Sequence, residues 1–221
     1  MVRFTVASML AALTAVGAAG AVTGSTPDGG AHPYVGALVV DGQVACSAVL
    51  VAPRVAATAG HCGADGSRVA VSFDGDVSGS RSLQAGTLEV DPARRADLAV
   101  VVLDAAAPVA PASLPAAGAA AFLAKGASLT SVGYGYSSPG VYDGLRRVAS
   151  SPLLKVGRSM LTLDTSSAGP CMGDSGGPQL VGDTVLSVTS TGSKDCAGKA
   201  EGYRLDTASA RAFLAGFVVL P

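Results

Sequence analysis

The chain has 221 residues, a formal net charge of −1, and 49% hydrophobic against 14% charged residues, which describes a globular protein with a sizeable core and excludes a disordered one. Fifteen basic residues face sixteen acidic ones, no Lys/Arg run exceeds two, and Trp is absent. That balance gives no support for nucleic-acid binding, which calls for a clustered basic face and aromatic stacking platforms.

The first element is an address. Arg3 precedes an apolar run over 4–16, and small residues end in Ala19-Gly20-Ala21, the n-region, h-region and A-x-A pattern of a signal peptide over 1–21. Thr, Ser and Gly dilute the run and no stop-transfer charges follow, which argues against a retained anchor. The expected mature protein starts at Val22, is secreted, and is free of the membrane. Four cysteines in an exported chain read as two disulfides, and the absence of C-x-x-C together with only two histidines argues against zinc.

From Tyr34 onward the pattern is short β runs broken by turn chemistry. Strands are expected at 34–40, 44–51, 68–73, 82–90, 98–103, 127–132, 161–163 and 185–189, with Asp41-Gly42 as a hairpin turn between the first two. Many short strands at close spacing indicate a barrel or a sandwich. Pro108, Pro111 and Pro115 keep 104–120 out of any paired strand, so that stretch reads as the connection between two halves. Near the end, Asp206 or Thr207 caps a helix whose Ala210, Phe213, Leu214 and Phe217 fall at i, i+3, i+4 and i+7. Asp74-Gly75-Asp76 reads as a turn, not a calcium loop, and Arg94-Arg95 and Arg146-Arg147 as solvated charge pairs.

Chemistry concentrates in Gly173-Asp174-Ser175-Gly176-Gly177-Pro178. The glycines let the backbone turn tightly around a serine and bring N–H groups near its oxygen. A serine nucleophile needs a base, and a neutral imidazole is the usual acceptor near neutral pH. His61, in Thr58-Ala59-Gly60-His61-Cys62, has an adjacent cysteine to anchor it, whereas His32 beside Pro33 reads as an ordinary surface or core residue. Asp97, which opens the apolar run 98–103, is either the carboxylate that orients the base or a solvated strand end. The segment also satisfies G-x-S-x-G, but an α/β-hydrolase places its histidine after the serine, and none follows Ser175. The available order is His61, Asp97, Ser175.

On these segments, with Ser190-Thr191-Gly192 and Gly133-Tyr134-Gly135, the chain resembles the trypsin/chymotrypsin-like (S1) serine peptidases, in particular secreted actinobacterial members. The resemblance implies an all-β fold of two antiparallel six-stranded β-barrels with a short C-terminal α-helix. The first barrel is expected at about 22–110 and the second at about 118–221, with the site in the cleft between them. It implies a disulfide between Cys46 and Cys62 beside the catalytic His, and another between Cys171 and Cys196 beside the specificity pocket. It also implies the catalytic set His61, Asp97 and Ser175, with the oxyanion hole made by the backbone N–H groups of Gly173 and Ser175.

In the family a new N-terminus folds inward onto the Asp before the catalytic Ser, and Val22-Thr23-Gly24 matches that pattern. The expected activation pair is Val22 with Asp174, created by signal peptidase itself. Gly169, six positions before Ser175, stands where trypsin-type members carry an acid. With Ser190, Thr191 and Gly192 along the substrate strand, the implied pocket prefers apolar or aromatic side chains over Arg or Lys. The implied partners are polypeptide substrates and protein protease inhibitors, the implied state is a monomer, and no metal or cofactor is called for. Two other readings stay open: a catalytically silent binding homologue, and an esterase of the same fold.

Overall fold

Alternating apolar residues in short runs produce strands with one buried face, and such strands gain most by closing on themselves and leaving no edge. The computed structural model describes residues 24–79, 81–138 and 140–221. After a two-residue strand β1 (Thr26–Pro27) come β2 (Val35–Val40), β3 (Gln43–Ala52), β4 (Val55–Thr58), β5 (Arg68–Ser72), β6 (Gln84–Val90) and β7 (Ala99–Leu103). The last six form a closed antiparallel barrel in the order β2-β3-β4-β7-β6-β5.

A second set follows: β8 (Ser128–Gly133), β9 (Arg147–Val156), β10 (Met160–Asp164), β11 (Pro178–Val181), β12 (Thr184–Gly192) and β13 (Lys199–Arg204). These run in the order β9-β10-β13-β12-β11-β8, and the β8–β9 pairing closes the ring. The expected two six-stranded antiparallel barrels are therefore present. So is the C-terminal helix α1 (Ala208–Leu214), capped by Thr207, whose hydroxyl accepts from the Ala210 amide at 3.3 Å. Asp206, the other cap candidate, instead binds the Arg204 guanidinium and the Ala120 amide.

The barrels exchange their chain ends. Strand β1 pairs with β9 of the second barrel, although it precedes the first in sequence. Helix α1 buries Ala210 and Leu214 in the main core and shares a hollow with residues Asp91, Pro92 and Ala93 of the first barrel. That main core fills the first barrel and continues through Val132, Tyr134, Leu180 and Val188 into the seam, while a smaller leucine cluster, Leu129, Leu153, Leu161 and Leu163 among it, fills the second.

Strands β1, β4, β9, β11 and β13 lie outside the runs that the sequence pattern marks as strands. In β9 the residues turned inward include Arg147, Ala149, Ser151 and Leu153, so the period of two is written in burial and not in hydrophobicity. Pro152 points outward beside a bulge between β9 and β10, where a missing N–H is tolerated. In β13 Gly202 faces the Gln179 amide, which leaves no room for a side chain: a Cβ there would lie 2.1 Å from Gln179 Oε1.

The Arg146-Arg147 pair is not solvated. Arg146 is only 4% exposed and pairs with the buried Asp28 carboxylate at 2.9 Å, and Arg147 is also buried. Arg146 further donates to the Val35 and Phe73 carbonyls of the first barrel and to the Tyr134 hydroxyl. Tyr134 donates in turn to the Asp74 carbonyl at 2.6 Å. His32 joins the cluster through Nδ1, 2.5 Å from Asp28 Oδ1. This network holds one barrel against the other.

Candidate active site

Strand β4 ends at Thr58 and the chain enters a single 3₁₀ turn, Gly60–Cys62, which carries His61 at the seam. The four cysteines pair as Cys46–Cys62 and Cys171–Cys196. The first disulfide fixes the residue next to His61 to strand β3. Asp97 sits just before β7, the strand paired with β4, so carboxylate and imidazole arrive from neighbouring strands. Both Asp97 oxygens lie 3.0 Å from His61 Nδ1, and Oδ1 also accepts from the His61 amide at 3.0 Å. The Ser190 hydroxyl donates to Oδ2 at 2.5 Å.

These contacts set the electrostatics. Burial pushes the Asp97 carboxyl up, but the hydrogen bonds from His61 and Ser190 outweigh it and hold the carboxyl below its ordinary value. The hydrogen bond to Asp97 raises the His61 imidazole above its usual value, against a smaller opposing effect of burial. With Nδ1 engaged by a carboxylate, the proton of the neutral ring belongs on Nδ1, and Nε2 carries the free lone pair.

Ser175 comes from the other barrel, in the loop before β11. Its carbonyl accepts from the Ser47 amide at 2.8 Å and lies 3.8 Å from Cys62 Sγ, which brings it to the sulfur next to His61. Among the described residues no hydrogen bond joins the Ser175 hydroxyl to His61. Gly173 takes a left-handed conformation at φ +89°, and its carbonyl accepts from the Ser47 hydroxyl at 3.1 Å. Ser47, whose hydroxyl also receives the Tyr134 amide, therefore braces the serine loop from the opposite barrel. Nothing in the sequence pattern marks Ser47, because its role arises only when β3 of one barrel meets the loop of the other.

Asp174 is turned away from the groove and is 2% exposed. Its carboxylate accepts from the Gly135 amide and the Cys171 amide, each at 2.8 Å. Burial pushes it up to about 6 despite those two bonds. The same carboxylate accounts for two glycines: a Cβ on Gly133 or Gly135 would come within 2.2 or 2.6 Å of it. Val22, its expected partner, lies outside the described residues.

Beside Ser175 opens a cavity of about 140 Å³ lined by Met172, Ser190, Thr191, Gly192 and Lys194, among others. Gly169 is not on its wall: it is packed against Thr165 and Ser151, where a Cβ would lie 2.3 Å from Thr165 Cγ2. Asp195 accepts from the Ala197 amide and Glu201 from the Thr162 hydroxyl, so neither acid lines the cavity. Lys194 at its rim carried no signal in the sequence. Cys46, His61 and Cys62 are the one group of possible metal ligands gathered among the described residues, but the two sulfurs are bonded to each other and offer no thiolate.

Two closed barrels facing each other across a seam, one carrying an imidazole–carboxylate pair and the other a glycine-flanked serine, form the architecture of the chymotrypsin-type serine peptidases. Residues 21–212 match the Trypsin family, and the chain belongs to it as a serine endopeptidase acting on polypeptides. A relative named Trypsin from Saccharopolyspora erythraea is 31% identical over 186 residues, covering 73% of this chain and 82% of its own. Among solved structures, one of a protein designated HBP superposes with a TM-score of 0.75 at 19% identity, over 90% of this chain and 97% of its own, a likeness of fold.

Proposed function

We propose that this chain is a secreted, monomeric endopeptidase in which Ser175 is the nucleophile, His61 the proton carrier and Asp97 the group that orients and stabilises the imidazolium. The observation that supports this most is the hydrogen-bonded series Ser190–Asp97–His61, which engages Nδ1 and leaves Nε2 as the nitrogen free to take a proton. Ser175 Oγ attacks the scissile carbonyl as its proton passes to His61 Nε2. The leaving amine takes that proton, and water then cleaves the acyl-enzyme by the same route. The contact between Ser175 and His61 tightens when substrate fills the groove, as such contacts do. The Gly173 and Ser175 amides receive the developing oxyanion, and loss of one such donor costs about 3 kcal/mol of transition-state stabilisation.

The P1 pocket supports a preference for apolar or aromatic side chains. Its volume of about 140 Å³ is close to the roughly 150 Å³ of an apolar cavity that holds one benzene ring. No carboxylate lines it, and Lys194 at its rim repels Arg or Lys. Activation follows from Asp174: cleavage after Ala21 frees the Val22 ammonium, which pairs with this wholly buried carboxylate and orders the serine loop. Protein inhibitors would occupy the same groove as substrates do.

The test is labelling of the secreted protein by an organophosphonate, alongside casein cleavage. Adduct and cleavage, both lost in Ser175→Ala, support the reading. Ester turnover without casein cleavage supports an esterase, and the absence of both supports a silent binding homologue.

A further inference from the structure

A peptide crossing the chemical centre needs a surface for its leaving half as well as for its acyl half. The P1 cavity borders one side of the serine loop, at Met172 and Ser175. Across that loop, bordered by Gly173, opens a second hollow of about 460 Å³, more than three times as roomy. It is tied to the segment that carries the imidazole: Val44 and Ala45, which line it, run directly into Cys46, whose disulfide partner is the neighbour of His61. Its walls include Val77 and the tilted pair Tyr136 and Tyr142, with ring centroids 5.9 Å apart.

Arg81 is the one charged side chain lining this hollow among the described residues. Its guanidinium donates to the Gly42 carbonyl at 2.9 Å and to the Val77 carbonyl at 3.4 Å, which fixes the group while leaving three of its five N–H donors for a ligand. The nearby acids are engaged elsewhere. Asp76 accepts from the Ser78 amide and hydroxyl, and Asp143 from the Leu145 amide and the Arg147 guanidinium. A hollow of mixed polarity, walled by Val44, Ala45, Val77 and two tyrosine rings and carrying one anchored guanidinium, fits a short side chain or chain end that terminates in a carboxylate.

We propose that this enzyme selects its substrates on the leaving side of the scissile bond, where Arg81 binds a carboxylate carried within the first two residues after that bond. The inference rests on the peptidase reading and deepens it. Two sources supply such a group, an acidic side chain or the free C-terminus of a short leaving peptide.

Acyl transfer isolates this half of the site. An N-acyl leucine methyl ester acylates Ser175 with release of methanol, and an added peptide then competes with water for the acyl group. Its amine nitrogen bonds to the acyl carbon, the bond from that carbon to Ser175 Oγ breaks, and the amine proton reaches Oγ through His61. Gly-Glu-NH2 against Gly-Gln-NH2 reports a side-chain carboxylate, and Gly-Gly-OH against Gly-Gly-NH2 a terminal one. Rates are referred to active sites titrated with an organophosphonate.

At least one carboxylate-bearing nucleophile should be captured about tenfold better than its neutral match. Arg81→Gln should remove that advantage, Arg81→Lys should keep part of it, and Arg81→Glu should shift capture toward Gly-Lys-NH2. Equal capture of charged and neutral nucleophiles, or an advantage that survives Arg81→Gln, overturns the proposal while leaving the peptidase intact. Absence of both ester turnover and phosphonate labelling overturns the peptidase reading and this inference with it.

Discussion

The Ser190 hydroxyl and the Asp97 carboxylate meet at 2.5 Å, from opposite barrels, on the oxygen that also faces His61 Nδ1. A residue expected on the sequence pattern only to line the substrate strand thus also bears on the imidazole through the carboxylate. Ser190→Ala removes one donor from Asp97 and leaves its charge more concentrated toward His61. We expect kcat/KM to fall about tenfold, the size of a lost hydrogen bond to a charged group. The acid limb of the pH–rate profile should also move to higher pH, a shift that mere loosening of the pocket would not produce.

The pH dependence of the intact enzyme follows from the raised His61. On the proposed mechanism the neutral ring is the working form, so activity should fall as pH drops through a value above the ordinary 6.5 of a histidine. For stability the sign is opposite: a folded-state value above the unfolded one contributes most at low pH, and that contribution is lost as pH rises through it. Asp97→Asn removes the cause and favours the wrong tautomer, with an expected loss of about 10⁴ in kcat. Ester hydrolysis followed across pH 5–9 checks the acid limb and the loss in Asp97→Asn, and urea denaturation over the same range checks the stability sign.

Under the proposed activation, Asp174 makes the unprocessed chain pH-sensitive. Its carboxyl is raised from 3.8 to about 6, so the folded state binds this proton more tightly than the unfolded one. Stability from this group is full below about pH 4 and is lost as pH rises through about 6, by an amount on the order of 3 kcal/mol. Urea denaturation of unprocessed Ser175→Ala protein should show greater stability at pH 4.5 than at 7.5, and adding Asp174→Asn should remove most of the difference. In the processed enzyme the same Asp174→Asn change should abolish activity.

Gly135→Ala places a Cβ within 2.6 Å of the Asp174 carboxylate and of the Met172 carbonyl. Overpacking of this kind costs about 1–3 kcal/mol and displaces the serine loop. Organophosphonate labelling should collapse while the melting temperature falls by only a few degrees.

Arg146→Met leaves the Asp28 carboxylate, only 1% exposed, without its cation. Removing one partner of a buried pair costs about 3–5 kcal/mol, and urea denaturation should show a loss of that size. Arg146→Lys should recover part of it, because a single ammonium cannot reach the Val35 and Phe73 carbonyls and the Tyr134 hydroxyl together.

The legible parts of the fold were those whose burial is carried by apolar side chains. Strands such as β3 and β7 announce themselves in runs of Val, Leu and Ala, and His61, Asp97 and Ser175 sit in short segments of distinctive composition. Strand β9 stayed hidden because its inward positions are filled by Arg147, Ala149 and Ser151. Arg146 was misread for a related reason: a charge looks solvated until its partners, which here lie more than a hundred positions away in Asp28 and Val35, fold against it. Ser47 and Lys194 belong to the same class, short-range residues in space that are long-range in the chain.

The crossing of the chain ends, with β1 laid on β9 and α1 against the first barrel, makes each half hostage to the other during biosynthesis. The first barrel emerges early but lacks its greasy lid until the helix follows, and strand β1 must wait for a mate roughly half the polypeptide later. A single late, joint closure is therefore the natural end of folding, and a cut in the Pro-rich connection would leave two pieces still clasped.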